Sequence, residues 1–219
     1  MSSTEPDPGH VEPGGPWLDR ADGPLRIRKL SVGEMDNDVY VLSCRRTGAS
    51  LLVDVADDAP RLLEALEGTT PVAAVQTHGH FDHVRAWDGV RAAGIEVWGH
   101  AGDLGLYPAR PDRLLEDGEV IVVGDLEVEV LHVPGHTPGS LLYLVAGDQR
   151  SHLCSGDTLF PGGHGRTTSD ADHHLIMDGL EAKVFGRLGD DTRVYPGHGD
   201  DTTLGAERPH LAEWRERGW

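Results

Sequence analysis

The sequence predicts a single α/β domain. Three observations carry that expectation: strand-like and helical patterns alternate along the chain, 219 residues suffice for one sizeable core and fall short of two, and neither a long linker nor an internal repeat divides the pattern. Only the start stands apart. Residues 1–23 are rich in Pro, Gly and acidic side chains and offer too little apolar surface to offset the entropy of ordering. A flexible arm is therefore expected over 1–23, and the folded domain over 24–219.

From Leu25 onward the pattern is regular. Runs rich in β-branched residues place strands over 25–32, 39–44, 50–55 and 72–77. Between the last two, Leu62, Leu63 and Leu66 share one face of a helix over 59–67. A second helix is expected to open at Asp82, run to Ala93 and end at Gly94. A strand follows over 95–98, then a hairpin of 120–123 and 126–133 turning at Gly124-Asp125. Strands over 140–145 and 152–154, a helix over 171–188, a strand over 193–195 and a helix over 206–217 complete the chain. Strands and helices thus fall into two halves, the first ending near the hairpin.

Composition narrows the function. Aromatics make up only 5% of residues, so the core must be mostly aliphatic. No apolar run approaches the ~18 residues that cross a bilayer, and the first residues lack the basic start and apolar stretch of a signal peptide. No membrane association and a cytoplasmic location are expected. Cys44 and Cys154 are too few for a disulfide framework and read as buried free thiols. A net charge of −18 opposes binding to phosphate backbones, so no nucleic-acid partner is expected. Lys29 and Lys183 are the only lysines against 17 arginines, a skew that points to a GC-rich genome.

The strongest chemical signal is Thr77-His78-Gly79-His80-Phe81-Asp82-His83, directly after an apolar strand. Three imidazoles and a carboxylate within six residues suit a borderline metal such as zinc. In an extended turn, His78 and His80 point the same way, while Asp82 and His83 can face a second ion. Three further candidates each end a predicted strand. They are His136 in Pro134-Gly135-His136-Thr137-Pro138-Gly139-Ser140, Asp157 in Ser155-Gly156-Asp157-Thr158-Leu159-Phe160, and His198 in Tyr195-Pro196-Gly197-His198-Gly199.

These segments resemble, in order and in register over residues 25 to about 205, the metallo-β-lactamase superfamily and particularly its glyoxalase II-like hydrolases. The resemblance implies a four-layer αββα sandwich with a dinuclear site at one edge of the sheets. It assigns His78, His80 and His136 to a first metal, Asp82, His83 and His198 to a second, and Asp157 to a bridge. Two divalent cations are implied, zinc first, with iron or manganese as alternatives. Such ions bring a shared water toward neutral pKa, and the expected chemistry is attack of hydroxide on a polarised carbonyl. Asp82 and Asp157 are the candidate catalytic carboxylates. No general acid is evident, which suits a thiolate leaving group. The expected substrate is a small S-acyl derivative of a low-molecular-weight thiol, and the expected assembly is a monomer or homodimer.

Arg166, in Gly165-Arg166-Thr167, resembles the family's segment after the bridging Asp. It is a candidate for a substrate carboxylate, with a structural ion pair as the alternative. Cys154 reads as core filler. His132 is expected to pack or face solvent, and His173-His174 to form a solvated helix start. One departure from glyoxalase II matters: only 21 residues follow His198, where that family adds a helical domain that recognises glutathione. Mycothiol, used in some GC-rich organisms, is therefore the expected carrier. The alternatives are a mononuclear iron persulfide dioxygenase, which shares the His triad and the Arg segment, and a lactonase or other ester hydrolase. A class B β-lactamase and a tRNA-processing nuclease are disfavoured, the first by the expected location and the second by acidity.

Overall fold

The computed structural model describes residues 8–218. Strands β1 (Leu18–Asp22), β2 (Leu25–Val32), β3 (Asn37–Cys44), β4 (Ala49–Val53), β5 (Thr70–Val75), β6 (Val97–Gly99) and β7 (Arg113–Leu114) form one sheet in sequence order. The strands β8 (Val120–Val123), β9 (Leu126–His132), β10 (Leu141–Ala146) and β11 (Ser151–Gly156) open a second sheet. After a small hairpin of β12 (Leu159–Phe160) and β13 (Gly163–His164), β14 (Arg193–Pro196) and β15 (Thr202–Thr203) complete it. Short turns or loops join the antiparallel neighbours, the longer one between β9 and β10 running over residues 133–140. The parallel pair β6–β7 is joined through a loop with a 3-10 turn, and the parallel pairs β4–β5, β5–β6 and β11–β14 by helical crossovers. These are α1 (Ala59–Ala65), α2 (Trp87–Ala92) and α3 (Asp170–Gly179), the last continuing as one π-helical turn over Leu180–Phe185.

Strand periodicity builds the layers. Along β3, Tyr40, Leu42 and Cys44 point between the sheets, where they meet Val128, Val130, Tyr143 and Tyr195. Val39 and Val41 point the other way, toward Leu62, Trp87 and Val90 of the first helical layer. On the second sheet, Leu131 and Leu142 face outward onto Ile176, Met177 and Trp214, the last carried by α5 (Leu211–Arg217). Three apolar interfaces between four layers make the αββα sandwich, and no helix among the described residues is long and apolar enough to cross a membrane.

Several expectations need correction. The arm expected over 1–23 is built into the domain from Pro8 on, and residues 1–7 lie outside the described residues. Val11 is buried, Pro13 bridges to Ser31, and β1 pairs with β2 along its whole length. Main-chain pairing and the Arg28 guanidinium over the Trp17 ring, at 4.4 Å, anchor a segment that apolar composition alone would leave free. The helix expected over 82–93 is a 3-10 turn over Phe81–His83 and then α2. Its break is explained by Arg85 N–H and Ala86 N–H, which donate to Ala56 and Val55 carbonyls instead of to the preceding turn. The C-terminal helix is likewise divided into α4 (Leu204–Glu207), a 3-10 turn containing Pro209, and α5. His173 is buried rather than solvated, with Nε2 3.2 Å from the Trp214 carbonyl, while His174 is exposed. Cys44 and Cys154 are both free and buried.

Candidate metal centre

Four strand ends deliver the candidate ligands. The loop after β5 carries His78, His80, Asp82 and His83, and the loops after β9, β11 and β14 carry His136, Asp157 and His198. The first four therefore come from one sheet and the last three from the other. The structure brings all seven together. The ligand atoms of His78, His80 and His136 lie within 4.8 Å of one another, and so do those of Asp82, His83 and His198. Asp157 stands between the sets. Its Oδ2 is 3.5 Å from His136 Nε2 and 3.6 Å from His198 Nε2, and its Oδ1 is 3.4 Å from His83 Nε2.

The donor set fits divalent cations. His136 Nε2 and Asp157 Oδ1 are buried yet have no hydrogen-bond partner among the described residues. Four of the five imidazoles engage the other ring nitrogen, the arrangement that orients a metal-binding histidine. His78 Nδ1 is 3.1 Å from Thr77 Oγ1 and His83 Nδ1 is 3.0 Å from Asp54 Oδ2. The other two meet carbonyls: His136 Nδ1 is 2.8 Å from that of Arg166, and His198 Nδ1 is 2.9 Å from that of Met35. His80 instead turns Nδ1 inward, 3.1 Å from His78 Nε2.

Charge distinguishes the two sets. Burial holds His78 and His80 below the ordinary imidazole value. Burial also opposes protonation of His83, but Asp157 and Asp54 outweigh it and raise that ring to about 10. The same contest at His198 is won by Asp157 and Asp82, which raise it to about 11. Burial works to raise Asp157 and Asp82, yet the imidazoles hold both well below the usual carboxylate range, with Asn37 also donating to Asp82 Oδ2 at 2.9 Å. The second set is thus a place where carboxylates demand positive charge.

Sequence reading missed four supporting residues. Asp54, at the end of β4, accepts from Thr77 N–H at 2.7 Å and Thr77 Oγ1 at 2.8 Å while facing His83. A carboxylate directly after the apolar run Leu51-Leu52-Val53 was its signal. Asn37 and Asp103 carried none. Lys29, fully buried between the sheets, donates to the Gly199 carbonyl at 2.6 Å and pairs with Asp38 at 2.9 Å and Asp201 at 3.0 Å. It ties down the loop that presents His198, and burial pushes its Asp38 partner up to about 7. Arg166 is exposed, and its guanidinium makes no hydrogen bond or ion pair among the described residues. The structural ion pair that was its alternative role is absent there. His132 stacks on His100 at 4.0 Å and lies outside the cluster.

A four-layer sandwich with a His/Asp cluster where the strand ends of its two sheets meet defines a class of metal-dependent enzymes. The chain belongs to the metallo-β-lactamase superfamily, whose profile matches residues 32–198. It is 38% identical over 165 residues to the hydroxyacylglutathione hydrolase of Anaeromyxobacter dehalogenans, covering 74% of this chain and 61% of that one. The chain thus spans about three fifths of that relative's length. Among solved structures, BLEG-1 B3 metallo-β-lactamase superposes with a TM-score of 0.75 at 31% identity, covering 86% of this chain and 99% of that one. A di-iron-bound form of TTHA1623 gives 0.67 at 30% identity, covering 82% and 96%.

Proposed function

We propose that the seven side chains hold two divalent metal ions, zinc first, and that the enzyme hydrolyses S-acyl thioesters of a low-molecular-weight thiol. In this reading His78, His80 and His136 bind one ion, Asp82, His83 and His198 bind the other, and Asp157 bridges them. The observation that carries it is the position of Asp157 between two complete ligand sets. The glyoxalase II-like relative and the di-iron-bound neighbour support the same reading.

Two bound ions supply an activated water and a Lewis acid for the acyl carbonyl. The chain's own residues do the rest. Asp157 and Asp82 accept hydrogen bonds from the attacking water and orient it. Asp54 and Thr77 fix the rings of His83 and His78. Arg166, whose guanidinium has no partner among the described residues, donates hydrogen bonds to acceptor oxygens of the substrate. A thiolate leaves without a general acid. The two buried free thiols fit a reducing, cytoplasmic setting.

The test is kcat/KM at equal metal loading for matched S-acyl thioesters of glutathione and mycothiol, a lactone and a β-lactam. The β-lactam is included because BLEG-1 is a B3 metallo-β-lactamase. Thioesters should lead by at least about tenfold, a transition-state preference of ~1.4 kcal/mol, with mycothiol ahead of glutathione. A lead for lactone or β-lactam would overturn the thioesterase reading and leave the dinuclear one standing. Elemental analysis should give two metals per chain. A firm single iron with oxygen uptake on a persulfide would install the dioxygenase instead.

A further inference from the structure

We propose that Asp103 is the positioning residue for the first ligand set, fixing His78 and His80 from one sheet against His136 from the other. The inference rests on the dinuclear reading above. Asp103 lies on a 3-10 turn between β6 and β7, fully buried. Its Oδ2 accepts from Gly79 N–H at 2.8 Å and from Thr137 Oγ1 at 2.7 Å, and its Oδ1 accepts from Gly139 N–H at 2.7 Å. Gly79 is the residue between His78 and His80, and Thr137 follows His136. One carboxylate therefore clamps both ligand loops at the atoms next to the ligands.

The chain is shaped to let the carboxylate in. A Cβ on Gly139 would lie 2.7 Å from Asp103 Cγ, and one on Gly79 would lie 2.7 Å from Leu106 Cβ and 3.1 Å from Asp103 Cβ. No cation pairs with Asp103 among the described residues, so its charge is held by three hydrogen bonds alone, all from the two loops. The first set has three imidazoles and shares its one carboxylate, Asp157, with the second. The second adds Asp82 and the support of Asp54. Asp54 reaches the first set only at His78, through Thr77, whereas Asp103 is the carboxylate that joins the His78–His80 loop to the His136 loop.

Because the clamp touches one set, its loss should be selective. Zinc affinities are measured by chelator competition, with cobalt absorption as an independent readout, in two backgrounds. His198→Ala weakens the second set and isolates the first, and His136→Ala does the reverse. Asp103→Asn offers an amide N–H where an N–H must be accepted. It should weaken zinc by about 10–100-fold in the His198→Ala background and by less than about threefold in the His136→Ala background. Thr137→Val, which removes a single donor, should shift the same site in the same direction, and Thr137→Ser should restore it. If Asp103→Asn does not fold, the Thr137 pair decides. Equal weakening in both backgrounds means a general structural role and overturns the proposal, as does no weakening in either. Failure of the unsubstituted protein to take up two zinc ions would instead overturn the dinuclear reading.

Discussion

At the scale of single residues, the cluster behaves as a site waiting for positive charge. Asp157, Asp54 and Asp82 raise His83 and His198 above the ordinary imidazole value, so this facing pair, Nε2 to Nε2 at 3.3 Å, holds protons at neutral pH in the absence of metal. A metal must displace those protons, and a raised value means that the ligand form gains population as pH climbs. Apparent zinc affinity should therefore rise steadily from pH 6 to 9, with proton release from the His83–His198 pair on loading at pH 7. Calorimetry in two buffers of different ionisation enthalpy counts those protons, and a pH-independent affinity would contradict the assignment. Asp157→Ala should lose one ion and lower kcat/KM by more than about 100-fold, beyond the cost of outer-shell changes. By contrast His173→Ala, in the core beneath α5, should lower stability by about 1–3 kcal/mol with kcat/KM near wild type. The seven candidate residues were legible because loop motifs print their histidines and aspartates consecutively or after strand-ending glycines. Asp103 and Asn37 were not, because their roles depend on loops meeting across sheets, which no local spacing records.

At the scale of elements, periodicity located β2 to β6 and β8 to β11 within a few residues, since strands buried on both faces, such as β3 and β4, read as dense aliphatic runs and half-exposed ones, such as β8 and β9, still carry β-branched or alternating patterns. It failed where main chain, not side chain, makes the element. β1, β7, β15 and the β12–β13 hairpin are short or polar, and backbone pairing to a neighbour holds them. The N-terminal segment shows the consequence. Removing residues 1–17 would expose the site of Val11, unpair Pro13 from Ser31 and strip His10 from Asp200, which it meets at 2.8 Å. Burying one valine contributes about 1.5–3 kcal/mol, so the truncated chain should unfold at distinctly lower urea concentration, by about 2 kcal/mol. An unchanged midpoint would restore the flexible-arm expectation. Trp214→Ala tests the other end. Its ring is fully buried against Phe185 at 6.4 Å, and truncation should cost about 3–5 kcal/mol. A loss under 1 kcal/mol would mean that α5 does not complete the second helical layer.

At the scale of the whole molecule, the two halves of the chain each form one sheet, and the cluster stands where their strand ends meet. His78, His80, Asp82 and His83 belong to the first half, His136, Asp157 and His198 to the second, so each proposed ion takes ligands from both sheets. Binding there links the halves just as the inter-sheet core does. An ion that binds only the folded chain adds RT ln(1 + [M]/Kd), about 1.4 kcal/mol for every tenfold rise in free metal above Kd. Two ions in independent sites double that slope, to about 2.8 kcal/mol. Global unfolding free energy should therefore climb with buffered free zinc at the double slope for the unsubstituted protein. His198→Ala, which removes a ligand of one set only, should show the single slope until zinc is high enough to refill the weakened site. Chelator should lower the midpoint of the unsubstituted protein to a floor set by the three apolar interfaces alone. Urea unfolding monitored by Trp fluorescence at several buffered zinc levels measures all of this at once. A single slope for both proteins would show that only one ion joins the sheets, and a flat response would show that the cluster is not where zinc binds.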